Sequence, residues 1–334
     1  MKISTQILLS AALLLSSTAS ALAESLVVYS GRSDKFVKPV IADFTKQTGI
    51  EVVVHTGSST ALLNKLKLEG SRTAADLYIS NDAGNLQKGS ELGLFQPVPN
   101  DTASVIPANM RAADSTWVGL SARARVLVVN ADSKVAGFAT SVFDLADPRL
   151  KGKLAITHSS NESYIAGVTV YMQAVGKDKT RTWLEGMKAN VGTSVYNKHG
   201  KIVKDIAAGT KAIGLVNHYY IFRHLEKYPN APLRMVLPDQ GDNGMGVAWN
   251  VAGVAISKHT RLREQANKLV AYLVSEAGQQ TFAKVNREYP TRPGVPAAPE
   301  VPAAGSYKVA DVPMVELGRQ RNATLDLIES VGMP

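Results

Sequence analysis

The chain has 334 residues, no cysteine and a formal net charge of +9 at pH 7. The absence of cysteine excludes disulfides, thiolate metal sites and cysteine nucleophiles. The basic residues are spread along the chain, so the charge indicates solvated surface rather than a nucleic-acid-binding face.

The amino end has the pattern of a secretory signal peptide. Lys2 gives a positive start, residues 7–15 form an apolar core too short to span a bilayer, and Ala21-Leu22-Ala23 is a small-x-small cleavage site. We expect residues 1–23 to be removed and the rest to form about two domains. No later apolar run is long enough for membrane insertion, and there is no cysteine for a lipid anchor. These features predict a periplasmic protein that does not bind nucleic acid.

Strands, small polar loops and helices alternate in the first part of the mature chain. Strands are predicted at residues 26–29, 50–54 and 77–80. An apolar stripe that ends at Gly49 predicts a helix after the first strand, and the polar loop 57–60 is typical of a second helix start. This alternation indicates parallel βαβ units whose loops gather at one edge of a sheet.

A long strand that begins with two arginines is predicted near residues 123–130. Arg123 and Arg125 occupy alternate positions and share one face of the strand, which suits anion capture as well as it suits two surface cations. A second long strand is predicted at residues 250–257. The two strands could carry the chain between two lobes and act as a hinge.

A second alternating series begins with the strand 154–157. Ser159, Ser160 and Asn161 follow it and offer an N-cap, and the helix after them would carry Tyr164 in its first turn. The free N–H groups of such a helix end suit a bound anion, although capping alone also explains the run.

Two adjacent tyrosines follow the apolar strand 212–217. Tyr219 and Tyr220 would lie where the carboxyl edge of a sheet meets a helix, which is where open α/β sheets bind ligands. Phenolate is a hard anionic oxygen donor, so the pair suggests ferric iron. The alternative is that both rings only anchor the start of the helix.

The rest of the chain contains no cofactor motif. A glycine-rich loop at 238–246 is followed by a strand, whereas a dinucleotide fingerprint needs a helix after its glycines. Helices are predicted in three later stretches: residues 261–274, 276–286 and 311–331.

This order of elements resembles the periplasmic ferric-ion-binding proteins of bacterial iron ABC importers. The most specific similarity is Asn217-His218-Tyr219-Tyr220, which matches the paired-tyrosine motif of that family. Three further segments look alike: residues 76–80, 120–125 and 240–242. The resemblance implies an α/β fold of the two-lobed solute-binding type, with parallel-sheet lobes joined by hinge strands.

The resemblance also implies discontinuous lobes. We expect the N-terminal lobe at residues 24–121 and 250–300, and the C-terminal lobe at residues 122–249 and 301–334. The expected protein is a monomer that carries Fe(III) to an inner-membrane ABC permease.

The family's metal ligands map onto this sequence only in part. Tyr219 and Tyr220 match the phenolate pair, but Ser33 and Asn81 stand where one branch of the family has a histidine and a glutamate. The sequence is therefore more similar to the branch that uses a third tyrosine, matched here by Tyr164.

The third-tyrosine branch commonly completes its metal coordination with carbonate. The resemblance assigns the carbonate contacts to Arg123, Ser159 and Ser160, with Arg125 as a second candidate. Tyr164, the match for the third tyrosine, lies one residue further from Asn161 than the branch pattern implies.

Two other functions are compatible with parts of the sequence. A solute-binding protein of the same architecture could bind an organic or inorganic anion without metal through Arg123, Arg125 and Ser159. An enzyme would need a nucleophile with a base, paired acids or a water-binding metal. The six histidines show no metal-ligand spacing and no serine lies in a G-x-S-x-G motif, so we expect no enzyme.

Overall fold

The computed structural model describes residues 24–192 and 195–334. The predicted signal peptide, residues 1–23, lies outside the described residues. Within the described part of the chain, no helix has both the length and the apolar character needed to cross a membrane.

Residues 24–130, the first part of the chain that the structure describes, form five strands and four α-helices. The strands are β1 (Leu26–Ser30), β2 (Val52–Thr56), β3 (Leu77–Ser80), β4 (Phe95–Gln96) and β5 (Val118–Asn130). The helices are α1 (Asp34–Thr48), α2 (Ser59–Glu69), α3 (Ala83–Glu91) and α4 (Asn100–Ala103).

The second half begins with a short strand and is richer in helix. Its strands are β6 (Leu154–Ala155), β7 (Ile213–Asn217), β8 (Leu233–Val236), β9 (Trp249–Ser257) and β10 (Tyr289–Pro290). Its helices are α5 (Glu162–Val175), α6 (Lys177–Val191), α7 (His199–Ala207), α8 (Tyr219–Lys227), α9 (Arg263–Leu273), α10 (Glu276–Asn286), α11 (Glu316–Arg319) and α12 (Arg321–Val331).

Local side-chain chemistry sets the ends of the predicted helices. Gly49 ends α1 in the left-handed conformation, with φ of 72°. Ser58 caps α2, since its side chain accepts a hydrogen bond from the N–H of Ala61 (3.2 Å). Asn161 caps α5 in the same way, accepting from the N–H groups of the second and third helical residues. These three predicted boundaries are confirmed to within one or two residues.

The strands form one continuous sheet in the order β2-β1-β3-β9-β5-β7-β6, with β4 beside β9 and with β8 and β10 beside β5. Strand β1 pairs in parallel with β2 and β3, and β6 pairs in parallel with β7. The pairs formed by β9 and β5 are antiparallel. The parallel arrangement is therefore confirmed in the outer strands, whereas β5 and β9 oppose each other because the chain leaves the first lobe along one and returns along the other.

Strand β5 joins the two halves of the molecule. Residues 118–124 pair with β9, and residues 125–130 pair with β7 and β8. All 13 residues of β5 are buried. Strand β5 thus extends through both halves, as predicted for one of the two hinge strands, whereas the other predicted hinge strand, β9, pairs with β3, β4 and the first part of β5.

Alternating side chains of β1 pack into two separate cores. Leu26 and Val28 join a core with Phe44 of α1 and Phe282 of α10. Tyr29 points into the other core, which continues into the second lobe. This period of two is expected of a strand that is covered on both faces, and it leaves the loops after the strands free to line the cleft between the lobes.

The carboxy-terminal helices contact both halves of the molecule. Helix α11 lies against α3, and α12 packs on α5 and α6. The lobe boundaries at 121/122, 249/250 and 300/301 stay a prediction.

Candidate functional site

His218 fixes the turn that presents the two tyrosines. Its Nδ1 accepts a hydrogen bond from the N–H of Ala124 (3.1 Å), so the proton is on Nε2, which donates to the carbonyl of Arg287 (2.7 Å). Burial lowers the pKa of His218 to about 4, and the ring is neutral. Both ring nitrogens are engaged, so this histidine positions the start of α8 and has no free donor for a ligand.

The rings of Tyr219 and Tyr220 lie next to each other in the cleft between the lobes. Their centroids are 4.4 Å apart, and Nδ2 of Asn217 donates to the Tyr219 hydroxyl at 3.4 Å. The charge that Tyr219 would carry when ionised, and burial of the ring, raise the pKa of Tyr220 above its ordinary value. Two phenols this close resist joint ionisation unless a cation compensates both charges.

The cleft has a volume of about 750 Å³ and is lined from both sides. The first lobe contributes the loops after β1, β2 and β3, and the second lobe contributes the first turns of α5, α7 and α8. The lining includes Ser33, Phe36, Asn81, Arg123, Ser160, Ser163, His199, Asn217, Tyr219 and Tyr220. Hydroxyl, amide, phenol and guanidinium groups therefore converge on one space.

Arg123 lines this cleft from β5 and is 3% exposed. Its Nε and Nη2 atoms are buried and have no hydrogen-bond acceptor among the described residues. A buried guanidinium without an acceptor costs free energy, and an anion in the cleft would remove that cost. Arg123 is thus the residue of the predicted anion set whose placement best fits the role.

A buried ion pair lies close to Arg123. Nη2 of Arg32 contacts both carboxylate oxygens of Glu288, at 2.8 and 2.9 Å, and the Ser121 hydroxyl donates to the same carboxylate at 2.6 Å. Burial would raise the pKa of Glu288, but the charges of Arg32 and Arg123 and the hydrogen bonds hold it below its usual value. The turn after β1, strand β5 and the segment after α10 are thereby fixed to one another.

Arg125 lies outside the residues that line the cleft. Its Nη1 donates to Oδ1 of Asn217 at 3.1 Å, and the side chain is 2% exposed. Asn217 in turn lines the cleft and donates to the Tyr219 hydroxyl. Arg125 is therefore placed one side chain behind the site, where it orients an amide that touches the tyrosine pair.

The two serines of the predicted anion set are placed differently. Ser160 lines the cleft, although its N–H and hydroxyl both contact Nδ1 of His158, at 3.2 and 2.9 Å. Ser159 is outside the lining, because its N–H donates to the carbonyl of Pro334 (2.8 Å) and its hydroxyl to that of Met333 (3.2 Å). The structure brings Ser160, but not Ser159, to the cleft.

The structure does not bring Tyr164 together with the tyrosine pair. The side chain is 1% exposed in the core of the second lobe, its hydroxyl has no hydrogen-bond partner among the described residues, and burial raises its pKa against the opposing charge of Arg125. Ser163 lines the cleft instead and accepts from Nδ2 of Asn217 at 3.2 Å. One residue along a helix turns a side chain by about 100°. The extra residue after Asn161 therefore explains why Tyr164 faces the core while Ser163 faces the cleft.

Ser33 and Asn81 also line the cleft. Nδ2 of Asn81 donates to the carbonyl of Gly31 at 2.5 Å, and its N–H donates to the hydroxyl of Ser59 at 3.1 Å. The amide thus fixes the turn after β1 to the start of α2. The two positions where a related branch has metal ligands are in the cleft here, but they carry neutral groups.

His199 is a cleft residue that the sequence analysis missed. It is 4% exposed, both ring nitrogens lack a hydrogen-bond partner within the described residues, and its ring centroid is 5.1 Å from that of Tyr220. Burial and the charges of Arg125 and Arg123 hold its pKa well below the ordinary value, so the ring is neutral. No motif marks this histidine, and its only signal is its place as the first residue of a helix.

Glu162 connects the lobes across the cleft. Ser59 of α2 donates to its carboxylate at 3.1 Å. Burial and the negative charge of Asp82 raise the pKa of Glu162 from 4.5 to about 7. A carboxyl group whose pKa is raised in the folded state makes stability fall as the pH rises between the two values.

We therefore expect a pH-dependent effect of Glu162→Gln on the iron-free protein. Between pH 4.5 and 7 the folded wild type binds more protons than the unfolded chain and loses stability as the pH rises. The variant should lack this loss and gain on the order of 2 kcal/mol relative to wild type at pH 8, with no gain at pH 4.5. Urea unfolding at both pH values measures the difference, and Glu264→Gln on the exposed face of α9 is the control. An equal effect of Glu162→Gln at both pH values would contradict the expectation.

Acidic and imidazole side chains do not form a metal site here. Within residues 24–192 and 195–334, no group of three or more His, Asp or Glu side chains could hold an ion. The cleft lining offers anionic oxygen from the phenols of Tyr219 and Tyr220 and from the carboxylate of Glu162, which accepts a hydrogen bond from Ser59. The two adjacent phenols are the pair that could bind one hard cation together.

Two α/β lobes on a shared strand, with a polar cleft between them, define a solute-binding protein. The family comparison agrees with this class. The chain belongs to the bacterial extracellular solute-binding protein family, whose model matches residues 40–309. The predicted fold class is confirmed, and membership of a solute-binding family agrees with the expectation of a binding protein rather than an enzyme.

Several proteins similar to this chain are named for iron. It is 31% identical over 302 residues to iron uptake protein A1 of Synechocystis sp., covering 88% of this chain and 83% of the relative. It is 28% identical over 315 residues to the Fe(3+)-binding periplasmic protein of Serratia marcescens, covering 93% and 91%. A solved Trichodesmium protein in complex with iron and citrate ligands is 30% identical, with a TM-score of 0.83, covering 93% of this chain and 100% of that one. The resemblance to ferric-ion-binding proteins is confirmed.

Proposed function

We propose that this protein captures Fe(III) in the periplasm and delivers it to an inner-membrane ABC permease. The phenolates of Tyr219 and Tyr220 bind the metal, and Arg123 holds an anion that shares it. One observation carries the proposal: two neighbouring phenols line the same cleft as a buried guanidinium that has no acceptor among the residues the structure describes. Relatives named for iron uptake and Fe(3+) binding support the choice of cargo.

Charge balance supports this ligand set. Two phenolates and a carbonate dianion exceed the charge of Fe(III) by one, and the guanidinium of Arg123 offsets that excess. A closed cleft would then contain little uncompensated charge, which matters because buried charge without a partner is costly. Hard oxygen donors also match a small trivalent cation better than they match softer metals.

The remaining predicted ligands contribute less to this proposal. Ser160 is the other predicted anion contact that lines the cleft. Tyr164, Ser159 and Arg125 stay predictions, and Tyr164 would need a rotation of the first turn of α5 to reach the metal. Carbonate as the anion and the monomeric state also stay predictions.

The placement of Arg123 also favours one alternative. A solute-binding protein for an organic or inorganic anion would use the same free guanidinium, with the tyrosines as hydrogen-bond donors rather than metal ligands. Ser160 and Asn217 would complete such a site from the cleft wall. The iron-binding function and the anion-binding function therefore both use Arg123. They differ in whether the phenols of Tyr219 and Tyr220 are ionised.

Visible spectroscopy separates the two functions. Iron-stripped protein titrated with Fe(III) and bicarbonate should develop a purple to red charge-transfer band that saturates at one equivalent, because such a band requires phenolate bound to ferric iron. The same titration without bicarbonate should give a weaker or slower change. Saturable heat on adding an anion alone, with no coloured complex on adding iron, would support the alternative and overturn the proposal.

Iron binding should weaken in acid. Each phenol that binds must release a proton, so the affinity should fall by up to about tenfold per pH unit for each proton released. Because the pKa of Tyr220 is raised, its phenol is protonated in the free protein throughout the range below pH 8, and the affinity should fall with pH over that whole range. Competition with a calibrated chelator at pH 8, 7 and 6 measures the effect. An affinity that is constant over these values would contradict phenolate ligation.

A further inference from the structure

A second, basic groove adjoins the metal cleft. It has a volume of about 1010 Å³ and lies between the first turn of α1 and the helices α7 and α8. The two spaces share Ser33, Phe36, Asn161, His199 and Tyr220 in their linings, so they lie next to each other. A ferric ion with a small anion would occupy only the cleft, whereas a groove of this size is typical of larger small-molecule ligands.

Cations without carboxylate partners line the groove. Lys35, Lys198, Arg223 and Lys227 have no carboxylate within 4.0 Å in the described part of the chain. Nη1 of Arg223 is buried and has no hydrogen-bond partner among those residues. The groove therefore has a surplus of hydrogen-bond donors and positive charge.

The acidic side chains at the groove have partners of their own. Asp34 pairs with Lys38 at 2.5 Å, and Glu226 pairs with Arg287 at 2.8 Å. A fifth cation of the lining, Lys201, pairs with Asp205 outside the groove. These ion pairs leave the four other cations uncompensated.

The unpaired cations are close enough to affect one another. Partial burial and the charges of Arg223, Lys227 and Lys198 lower the pKa of Lys35. Like charges gathered around one groove repel, and a multivalent anion between them would relieve the repulsion.

Phe36 and His199 connect this charge to the metal site. Nζ of Lys35 and the guanidinium carbon of Arg223 lie 5.0 and 4.7 Å from the centroid of the Phe36 ring, which is 5.9 Å from the ring of Tyr219. His199 is 4% exposed, lines both spaces and has two ring nitrogens without a hydrogen-bond partner in the described ranges. A ligand that reached from the tyrosine pair into the groove would meet His199 first and the cations next.

We propose that the groove binds the anionic part of a metal chelate, bearing several carboxylate or phosphate groups, while its metal lies at the tyrosine pair. This inference rests on the proposed function, since it names the form in which the cargo is taken. The shared chemistry is a multivalent oxygen anion, and the groove would bind it with or without iron. Lysine suits either source as a point charge, and Arg223 adds a planar donor set for carboxylate or phosphate.

The test compares two double variants of equal charge. Lys35→Gln with Lys227→Gln removes two exposed cations of the groove, and Lys46→Gln with Lys284→Gln removes two exposed lysines at the outer ends of α1 and α10. Each protein is titrated with Fe(III) plus bicarbonate, with ferric citrate and with ferric pyrophosphate. Calorimetry with iron-free citrate and with pyrophosphate measures anion binding alone.

The groove variant should bind ferric citrate or ferric pyrophosphate about tenfold more weakly than wild type, and the iron-free anion by a similar factor. The anion whose affinity falls more, citrate or pyrophosphate, shows whether the groove prefers carboxylate or phosphate groups. Binding of Fe(III) with bicarbonate should change by less than about threefold, and the control variant should match wild type in every arm. An equal loss of affinity in the groove variant and the control variant, or no loss in either, would overturn the proposal that the groove binds the anion. A wild type without colour in bicarbonate that still binds citrate through the groove would overturn the metal function alone.

Discussion

Replacing either cleft tyrosine with phenylalanine should abolish the coloured iron complex or shift its band strongly. Tyr219→Phe and Tyr220→Phe each remove one phenolate while keeping the ring, its packing on Phe36 or His199, and the start of α8. Loss of a residue that only supports a ligand typically weakens metal binding about 10- to 100-fold. Loss of the ligand itself should therefore weaken Fe(III) binding by at least about a hundredfold.

The control for this experiment lies at the other end of the same helix. Tyr228 follows α8, is 59% exposed and lines neither the cleft nor the basic groove. Tyr228→Phe should keep the band and the affinity of wild type, and thermal unfolding of the iron-free proteins should be similar for all three variants. Tyr164→Phe belongs in the same series, because an unchanged band would remove Tyr164 from the ligand set. Full colour in both Tyr219→Phe and Tyr220→Phe would exclude the proposed metal site.

Glu288→Gln should cause the largest loss of stability of any single change near the cleft. The substitution keeps the size of the side chain but leaves the guanidinium of Arg32, which is 1% exposed, without a counter-charge. Removing one partner of a buried ion pair typically costs about 3 to 5 kcal/mol, since the other charge stays buried. Urea unfolding at neutral pH should show a loss of at least about 3 kcal/mol in the free energy of unfolding.

Two further variants show whether burial of the charge is the cause. Arg32→Met combined with Glu288→Leu removes both charges and should recover much of the lost stability, because no isolated charge is left at that pair. Glu316→Gln breaks the partly exposed pair with Arg319 and should cost less than about 1 kcal/mol. If Glu288→Gln and Glu316→Gln lowered the free energy of unfolding by similar amounts, burial of the Arg32–Glu288 pair would not be the cause of the loss.

Much of the fold could be predicted because local chemistry determines it. The apolar stripe of α1, the glycine after it and the cap before α5 each lie within a short stretch, and each has a clear physical signature. The direction of β9 was not predictable in this way. It depends on the path of the chain through a whole lobe, and an apolar strand looks the same whether its neighbours run parallel or antiparallel.

The candidate site was predictable to the extent that it depends on consecutive residues. Tyr219, Tyr220 and Arg123 line the cleft as expected, because each follows or lies on an element whose edge faces the other lobe. Tyr164 does not, since one extra residue turned it away from the cleft. His199 was missed because its proximity to Tyr220 arises from the packing of α7 on α8, which no spacing in the sequence reveals.

The basic groove illustrates the same limit. Lys35 is separated by more than 150 residues from Lys198 and Lys227, and a net positive charge spread along the chain indicated only solvated surface. Tertiary packing gathers these cations beside the tyrosine pair. Charge that looks uniform along a sequence can therefore become concentrated in the folded molecule.

The strand shared by both lobes also determines how the site behaves when the molecule opens. Arg123 lies near the middle of β5, at the end of the part that pairs with β9 and just before the part that pairs with β7 and β8. In any rotation, atoms on the axis move least and those at the rim move most. If the lobes turn about β5, Arg123 keeps its place while the loops after β1 and β3 swing away from the tyrosines. The anion could then occupy its position in the open molecule and meet the incoming metal as a ligand already in place.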